Sequence, residues 1–410
     1  MKKIIGRLTS NSEAGLSILS SIVAVIGGLL IGLVILLFSD YTRAFPAFID
    51  ILTSGFQSIR NFGEVLSRAT PIILTGLSVG FALKTGLFNI GASGQYSFGA
   101  FTAIYIVLTA TFIPPSLRVV VAMVCAMIAG AIWAAIPGLL KAFRNVHEVI
   151  SSIMTNWIGI FLVSHLIQST IIDPTTARTR AIPTNVTIPS FGLGTLFQGS
   201  ATRPSTVDIG IVIAIFMAII AYIVLEKTKF GYELKACGFN RDAARYAGIS
   251  EKRSIVFSMM ISGAFAGLGG ALHYLSAAGV AKSVATVLAP EGFTGISVAL
   301  LGLGNPVGII FSGTLIGFLQ QSGFLVQRYG FAPEIIEIVT SVIIYFCAFV
   351  LIVKMLLKRI MKIRNTVSEE NDTVDPTVDQ SAEPPGDGEQ ETVEEFSDPT
   401  DKNASERSGD

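Results

Sequence analysis

From Leu16 to Lys358 the chain alternates long apolar runs with short polar ones, and the runs have the length of a membrane crossing. About 20 apolar residues rising 1.5 Å each cover the roughly 30 Å of bilayer hydrocarbon. Ten such stretches are predicted as helical spans, at residues 17–38, 66–83, 88–112, 119–140, 148–168, 207–225, 254–278, 292–304, 306–324 and 335–357. The expected fold is an all-α polytopic membrane domain over residues 1–364. The eighth stretch is too short to cross unaided, which predicts helices broken at membrane depth.

The order of the spans carries a second expectation. Spans two to five begin outside and spans seven to ten begin inside, so two four-helix bundles run in opposite senses, as an inverted repeat requires. The breaks then match: Gly91 and Gly94 in the first half answer to Gly292 and Gly295 in the second. Glycines four apart at Gly28 and Gly32, Gly76 and Gly80, Gly263 and Gly267, and Gly313 and Gly317 have the spacing that lets helices approach closely.

Composition agrees, with 51% hydrophobic residues and a mean hydropathy of +0.65. The formal net charge of zero hides a segregation. Residues 365–410 hold 15 of the 29 acidic residues and only Lys402 and Arg407 in return, which leaves 27 basic against 14 acidic residues in the membrane part. So acidic a segment, poor in apolar side chains, cannot bury enough surface to fold, and the tail is expected to be disordered. Lys and Arg prefer the cytoplasmic side of short loops. That rule places the densest basic loop, 226–253, and both termini in the cytoplasm of a plasma-membrane protein. "MKKIIGR" with its long apolar sequel is expected to be an uncleaved anchor.

Candidate chemistry is sparse. Cys125, Cys237 and Cys347 suggest no disulfide framework, His147, His165 and His273 have no metal-ligand spacing, and no phosphate-binding Gly-rich loop with Lys-Ser/Thr exists. No catalytic group, metal, cofactor or nucleic-acid partner is expected.

Two stretches do ask for a role. "GLFNIGASGQYSFGAF" at 86–101 puts Asn89, Ser93, Gln95 and Tyr96 where apolar residues belong. Irregular backbone at membrane depth is tolerated only against protein or a water-filled cavity, so these residues, with Asn156, Glu291 and Thr294, are candidates for a translocation path. A surface loop between spans two and three is the competing reading for 86–101, and a helix–helix hydrogen bond the competing reading for Asn156. The second stretch is "KFGYELKACGFNRDAARYAGISEKR" at 229–253. Asn240 is a good N-cap, Asp242 suits the positive end of a helix and Gly248 suits its terminus. A two-turn helix is predicted there. With Gly238, Arg241, Arg245 and Tyr246 it is either a solvated face or a docking helix for another protein.

"GYELKACGFNRDAARYAGIS", "GLFNIGASGQ", "HEVISSIMTNW" at 147–157 and "EGFTGISVALLGLGNP" at 291–306 together resemble the permease subunits of bacterial ABC importers for branched-chain amino acids, simple sugars and nucleosides. The likeness spans most of residues 64–325, and the order of motifs is more similar to nucleoside importers. The chain departs from the family at Ser93 and His147, where Glu and Asn are usual, and in its acidic tail. The resemblance implies a non-enzymatic transport subunit that works with an ABC ATPase on a separate chain. It also implies a second related permease and an extracellular substrate-binding lipoprotein, and makes 229–253 the ATPase-coupling segment. A permease for ribose-like sugars and an ion-coupled secondary transporter are the alternatives.

Overall fold

The computed structural model describes residues 13–199, 204–276 and 287–360. The expected disordered tail lies outside the described residues, as does the end of the seventh expected span. Helices carry the fold. They are α1 (Glu13–Ser39), α2 (Tyr41–Thr53), α3 (Ile59–Lys84), α4 (Ala92–Thr109), α5 (Pro115–Arg144), α6 (Glu148–Thr170), α7 (Gly210–Lys227), α8 (Lys229–Phe239), α9 (Arg241–Tyr246), α10 (Glu251–Tyr274), α11 (Pro290–Leu301), α12 (Pro306–Val326), α13 (Pro333–Ala348) and α14 (Val350–Ile360).

Seven of these are long and apolar enough to cross a membrane, and α13 with α14, bent by 49° at Phe349, makes an eighth. The expected stretches that fall short are the third and the eighth, now α4 and α11, whose 18 and 12 residues flank the polar segments. Other boundaries move because hydropathy undercounts helix. α3 begins at Ile59, where Ser58 Oγ accepts the Asn61 N–H at 3.0 Å. Its first turns hold Arg60, Asn61, Glu64 and Arg68, too polar to score as a span.

The sequence reading missed α2, capped by Asp40, whose carboxylate accepts the Thr42 N–H at 2.9 Å. Its inner face buries Asp50, which pairs with Arg328. Residues 171–209 join α6 to α7 as a long loop. It contains a two-residue antiparallel ladder with Ile172 opposite Thr179, and it buries Val186, Ile188 and Val207 in the main core.

The centre of the bundle is the pair α3 and α10. Their apolar windows are 83% and 72% buried, against 22% for α1 and 28% for α5, which face outward. α3 packs on α10, α11 and α12, while α10 packs on α3, α4 and α5. Close approach is possible because glycines stand at the crossings. A methyl group on Gly99 would lie 2.2 Å from the Gly267 carbonyl oxygen, and one on Gly130 2.3 Å from that of Gly263.

Two faces follow from the connections. α8 and α9 form an elbow that lies against the C-terminal end of α3, since Gly238 touches Thr85 and Gly86. This is the elbow face. The loop 171–209 and the start of α3 define the opposite, loop face.

Candidate functional site

The polar stretch at 86–97 is buried in protein. Asn89, Ser93, Gln95 and Tyr96 are each at most 1% exposed. Buried amides have to find partners, and these find one another. Asn89 Nδ2 donates to Gln95 Oε1 at 2.7 Å, and Gln95 Nε2 returns a bond to Asn89 Oδ1 at 3.0 Å. The same Asn89 nitrogen lies 2.6 Å from Ser262 Oγ on α10 and 3.2 Å from Ser78 Oγ on α3, and the Ser262 hydroxyl donates to the Ser78 carbonyl. Asn156, from α6, clamps the break from the other side. Its Oδ1 accepts the Gly94 N–H and its Nδ2 donates to the Ile90 carbonyl, both at 2.9 Å.

The two glycine-marked breaks meet. Ser93 Oγ donates to the Ala289 carbonyl at 2.8 Å, and a Cβ on Gly292 would lie 2.5 Å from the Ser93 backbone. Thr294 turns back on its own helix, to the Pro290 carbonyl. Tyr96 stacks edge-on to His273 and Tyr274. Of the seven path candidates, Glu291 lines the wall of a polar cavity. The other six are held inside the packing: Asn89, Ser93, Gln95, Asn156 and Thr294 by side-chain hydrogen bonds, and Tyr96 by its aromatic neighbours, its buried hydroxyl having no hydrogen-bond partner among the described residues.

Replacing Asn89 with leucine would strand the Gln95 amide and change no surface. A buried group left unsatisfied costs about 1–3 kcal/mol, so Asn89→Leu should lower the melting temperature in detergent markedly, while Asn89→Gln keeps part of it. A wild-type melting curve for the leucine variant would refute the network's structural role.

The cavity holds about 310 Å³, at the lower end of the ~300–1,000 Å³ usual for small-molecule sites. It lies between α3, α10, α11 and α12 on the side of the loop face, and Glu64, Arg68, Asp208, His273, Glu291 and Gln320 give its polar character. Each wall is anchored. Glu64 accepts the Thr206 N–H at 3.1 Å and the Thr206 hydroxyl at 2.5 Å. Arg68 Nε donates to Gln321 Oε1 at 2.6 Å, with its guanidinium over the Phe324 ring. Asp208 Oδ1 accepts the Gly210 N–H at 2.8 Å, at the start of α7. Three carboxylates to one guanidinium give acceptors for hydroxyl and amino groups and repel anions. Sequence reading missed all of these but Glu291, since nothing local marks residues gathered from five segments. The charged residues in the first turns of α3 were the one available signal.

The elbow is built by caps. Asn240 ends α8 and opens α9, its side chain accepting the Ala243 N–H at 3.0 Å. Gly248, at φ +79°, closes α9 in the left-handed conformation, and the Ile249 N–H reaches back to the Ala244 carbonyl. The predicted helix is therefore present, and α8, which was not predicted, precedes it. Leu234 and Cys237 are buried, whereas Phe239 and Tyr246 are 90% and 93% exposed. Arg241 lies 3.8 Å from Glu251, and Arg245 and Asp242 point outward. Through Gly238 the elbow touches residues 85–86, the start of the break that Asn89 and Gln95 lock. His147 takes over a capping role at the start of α6, its Nδ1 accepting the Val149 N–H at 3.3 Å.

A membrane bundle whose two continuous central helices pack against two short, interrupted ones, with a polar cavity beside the second interruption and a protruding elbow on one face, is the architecture of a multi-pass transport permease. Comparison with known proteins makes that specific. Residues 61–373 match the family described as branched-chain amino acid transport system / permease component, and the chain belongs to that family. It is 37% identical over 355 residues to the nucleoside ABC transporter permease protein NupB of Lactococcus lactis, covering 85% of this chain and 95% of that one. It is also 37% identical over 332 residues to the guanosine ABC transporter permease protein NupP of Bacillus subtilis, covering 81% and 93%. The glucose ABC transporter permease protein TsgB13 of Haloferax volcanii is 33% identical over 309 residues, covering 73% and 78%.

Proposed function

We propose that this chain forms the translocation path for nucleosides in an ATP-driven importer, and that the solute passes through the cavity beside Glu291. The observation that carries the reading is the chemistry of that cavity: acceptor-rich, poor in cations and sized for one small solute. Ribose hydroxyls and base amino groups donate to carboxylates, while the phosphate of a nucleotide would be repelled. Similarity to two nucleoside permeases supports the same class.

The eight crossing elements, with α4 and α11 as the interrupted ninth and tenth, make the ten-span membrane domain. α3–α6 and α10–α13 are then inverted repeats. The exchange packing, in which the first helix of each half contacts the second and third of the other, supports this. The elbow face is cytoplasmic in this reading, and an ABC ATPase docks on Phe239, Arg245 and Tyr246. A second related permease and an extracellular binding lipoprotein complete the transporter.

In a strain lacking the chromosomal copy, labelled uridine uptake should be restored by the chain together with its partner subunits. Unlabelled uridine and guanosine should compete, ribose and glucose should not, and Glu291→Gln should lower uptake at least about tenfold, the effect of losing one charge-assisted hydrogen bond. Competition by ribose or glucose alone would assign the chain to sugars instead.

A further inference from the structure

A second concavity, of about 830 Å³, opens outward between α1 and α12 towards the elbow face. It does not suit a polar solute. Ile18, Ile22 and Ile26 form one wall and Val307 and Phe311 the other, and all five are more than a third exposed. In a membrane protein such side chains lie where acyl chains run.

What sets this groove apart from the remaining lipid-facing surface is its polar end, where Lys84 and Lys354 line it together with Ser17 and Asn305. Lys84 is the last residue of α3, on the elbow face. The Lys354 ammonium donates to Ser17 Oγ at 2.8 Å, which leaves two of its three N–H donors unused by that bond. Among the described residues, no carboxylate pairs with either lysine within 4.0 Å. An apolar slot capped by two unneutralised cations matches a molecule with an anionic head and a hydrocarbon tail. Basic pockets between spans on the cytoplasmic side bind anionic headgroups for the same reason. A protein partner filling the slot would have to bring its own buried anion to that end, whereas the leaflet supplies one with the tail attached.

We propose that this groove is a binding site for an anionic phospholipid of the leaflet on the elbow face, with its phosphate on Lys84 and Lys354 and one acyl chain along Ile22, Ile26 and Phe311. The lipid bridges α1, the end of α3, the α11–α12 turn and α14. Ser21 on α1 already bonds across this seam, donating to the Leu301 carbonyl at 3.1 Å. The inference rests on the chain's lying in a membrane and not on which solute it carries.

The test uses the full-length chain purified in neutral detergent and supplied with phosphatidylglycerol or phosphatidylcholine of the same acyl composition, with bound lipid counted by native mass spectrometry. Wild type should retain phosphatidylglycerol about thirtyfold better, the scale expected for two surface cations at about 1 kcal/mol each. The double variant Lys84→Gln with Lys354→Gln should bring the two lipids to parity, and the arginine pair should keep the preference. Equal retention by wild type overturns the proposal without reference to any variant, as does a glutamine variant that discriminates like wild type. A loss of co-purifying second permease in the glutamine variant, with lipid retention unchanged, would mark the groove as a protein seam and also overturn it. Nucleoside uptake is a separate readout: a chain that prefers phosphatidylglycerol yet carries no nucleoside leaves this inference standing and removes only the functional reading.

Discussion

Replacing Gly267 with leucine should leave no folded protein to assay. Gly267 sits where α10 passes both α5 and α4: a Cβ placed on it would lie 2.3 Å from the Ala126 carbonyl oxygen and 3.2 Å from the Gly130 Cα, while Gly99 faces its backbone from the other side. Overpacking a core usually costs about 1–3 kcal/mol because side chains can shift. Here the obstacles are backbone atoms of two neighbouring helices, so relief requires moving whole helices away from the most buried part of the bundle. A loss above about 5 kcal/mol is expected, comparable to the entire stability of many domains. The check is the size-exclusion profile of the full chain in detergent beside Gly27→Ala, whose nearest non-local atom is 3.9 Å away and which should behave as wild type. A monodisperse Gly267→Leu protein with an unchanged melting temperature would remove the claim that helix backbones touch at this crossing.

The second large effect is expected at the elbow and should be functional rather than structural. A Cβ on Gly238 would lie 2.7 Å from the Thr85 carbonyl carbon and 2.8 Å from the Gly86 nitrogen, so the branched side chain in Gly238→Val lifts the elbow off residues 85–86. Leu234 and Cys237 still bury against the bundle, and the central helices are untouched. Membrane insertion and folding should therefore survive. What is lost is the contact of α8 with residues 85–86, through which, in the proposed function, a push on α8 and α9 would reach Asn89, Gln95 and the start of α4. Uptake by the assembled transporter should fall at least about tenfold, the consequence of an added barrier near 1.4 kcal/mol. Arg245→Glu makes the complementary change: it leaves the chain's own packing intact but reverses a charge on the exposed face, and should release the ATPase on co-purification. Normal uptake in Gly238→Val, with the ATPase still bound, would mean that the elbow transmits nothing.

The two breaks divide what local sequence can and cannot say. That the chain is interrupted near 86–91 and near 289 was legible, because glycines and amides inside apolar runs violate the cost of polar groups in hydrocarbon, although the helices resume at Ala92 and Pro290, before the second glycine of each pair. What the amides do was not legible. Asn89 and Gln95 suggested a path, yet each fills the other's hydrogen-bonding needs, and the partner that completes the set, Ser262, lies 173 residues away. The cavity is more extreme. Glu64 is fixed by Thr206 across 142 residues, and Arg68 by Gln321 across 253, separations over which no periodicity or motif carries information.

The amino-acid sequence by itself determined that the chain lives in a membrane, where most helices run, that the 240–248 turn is capped at both ends, and to which transporter class its motifs belong. These depend on apolar length and on contacts within about nine residues, which the chain carries wherever it folds. Tertiary structure alone decided that α3 and α10 form the centre, that the two breaks face each other through Ser93 and Gly292, that Glu64, Arg68 and Asp208 converge with Glu291, and that Lys84 and Lys354 line one groove. Each of those results from helices crossing at glycines, where which backbones touch is set by the packing of the whole bundle.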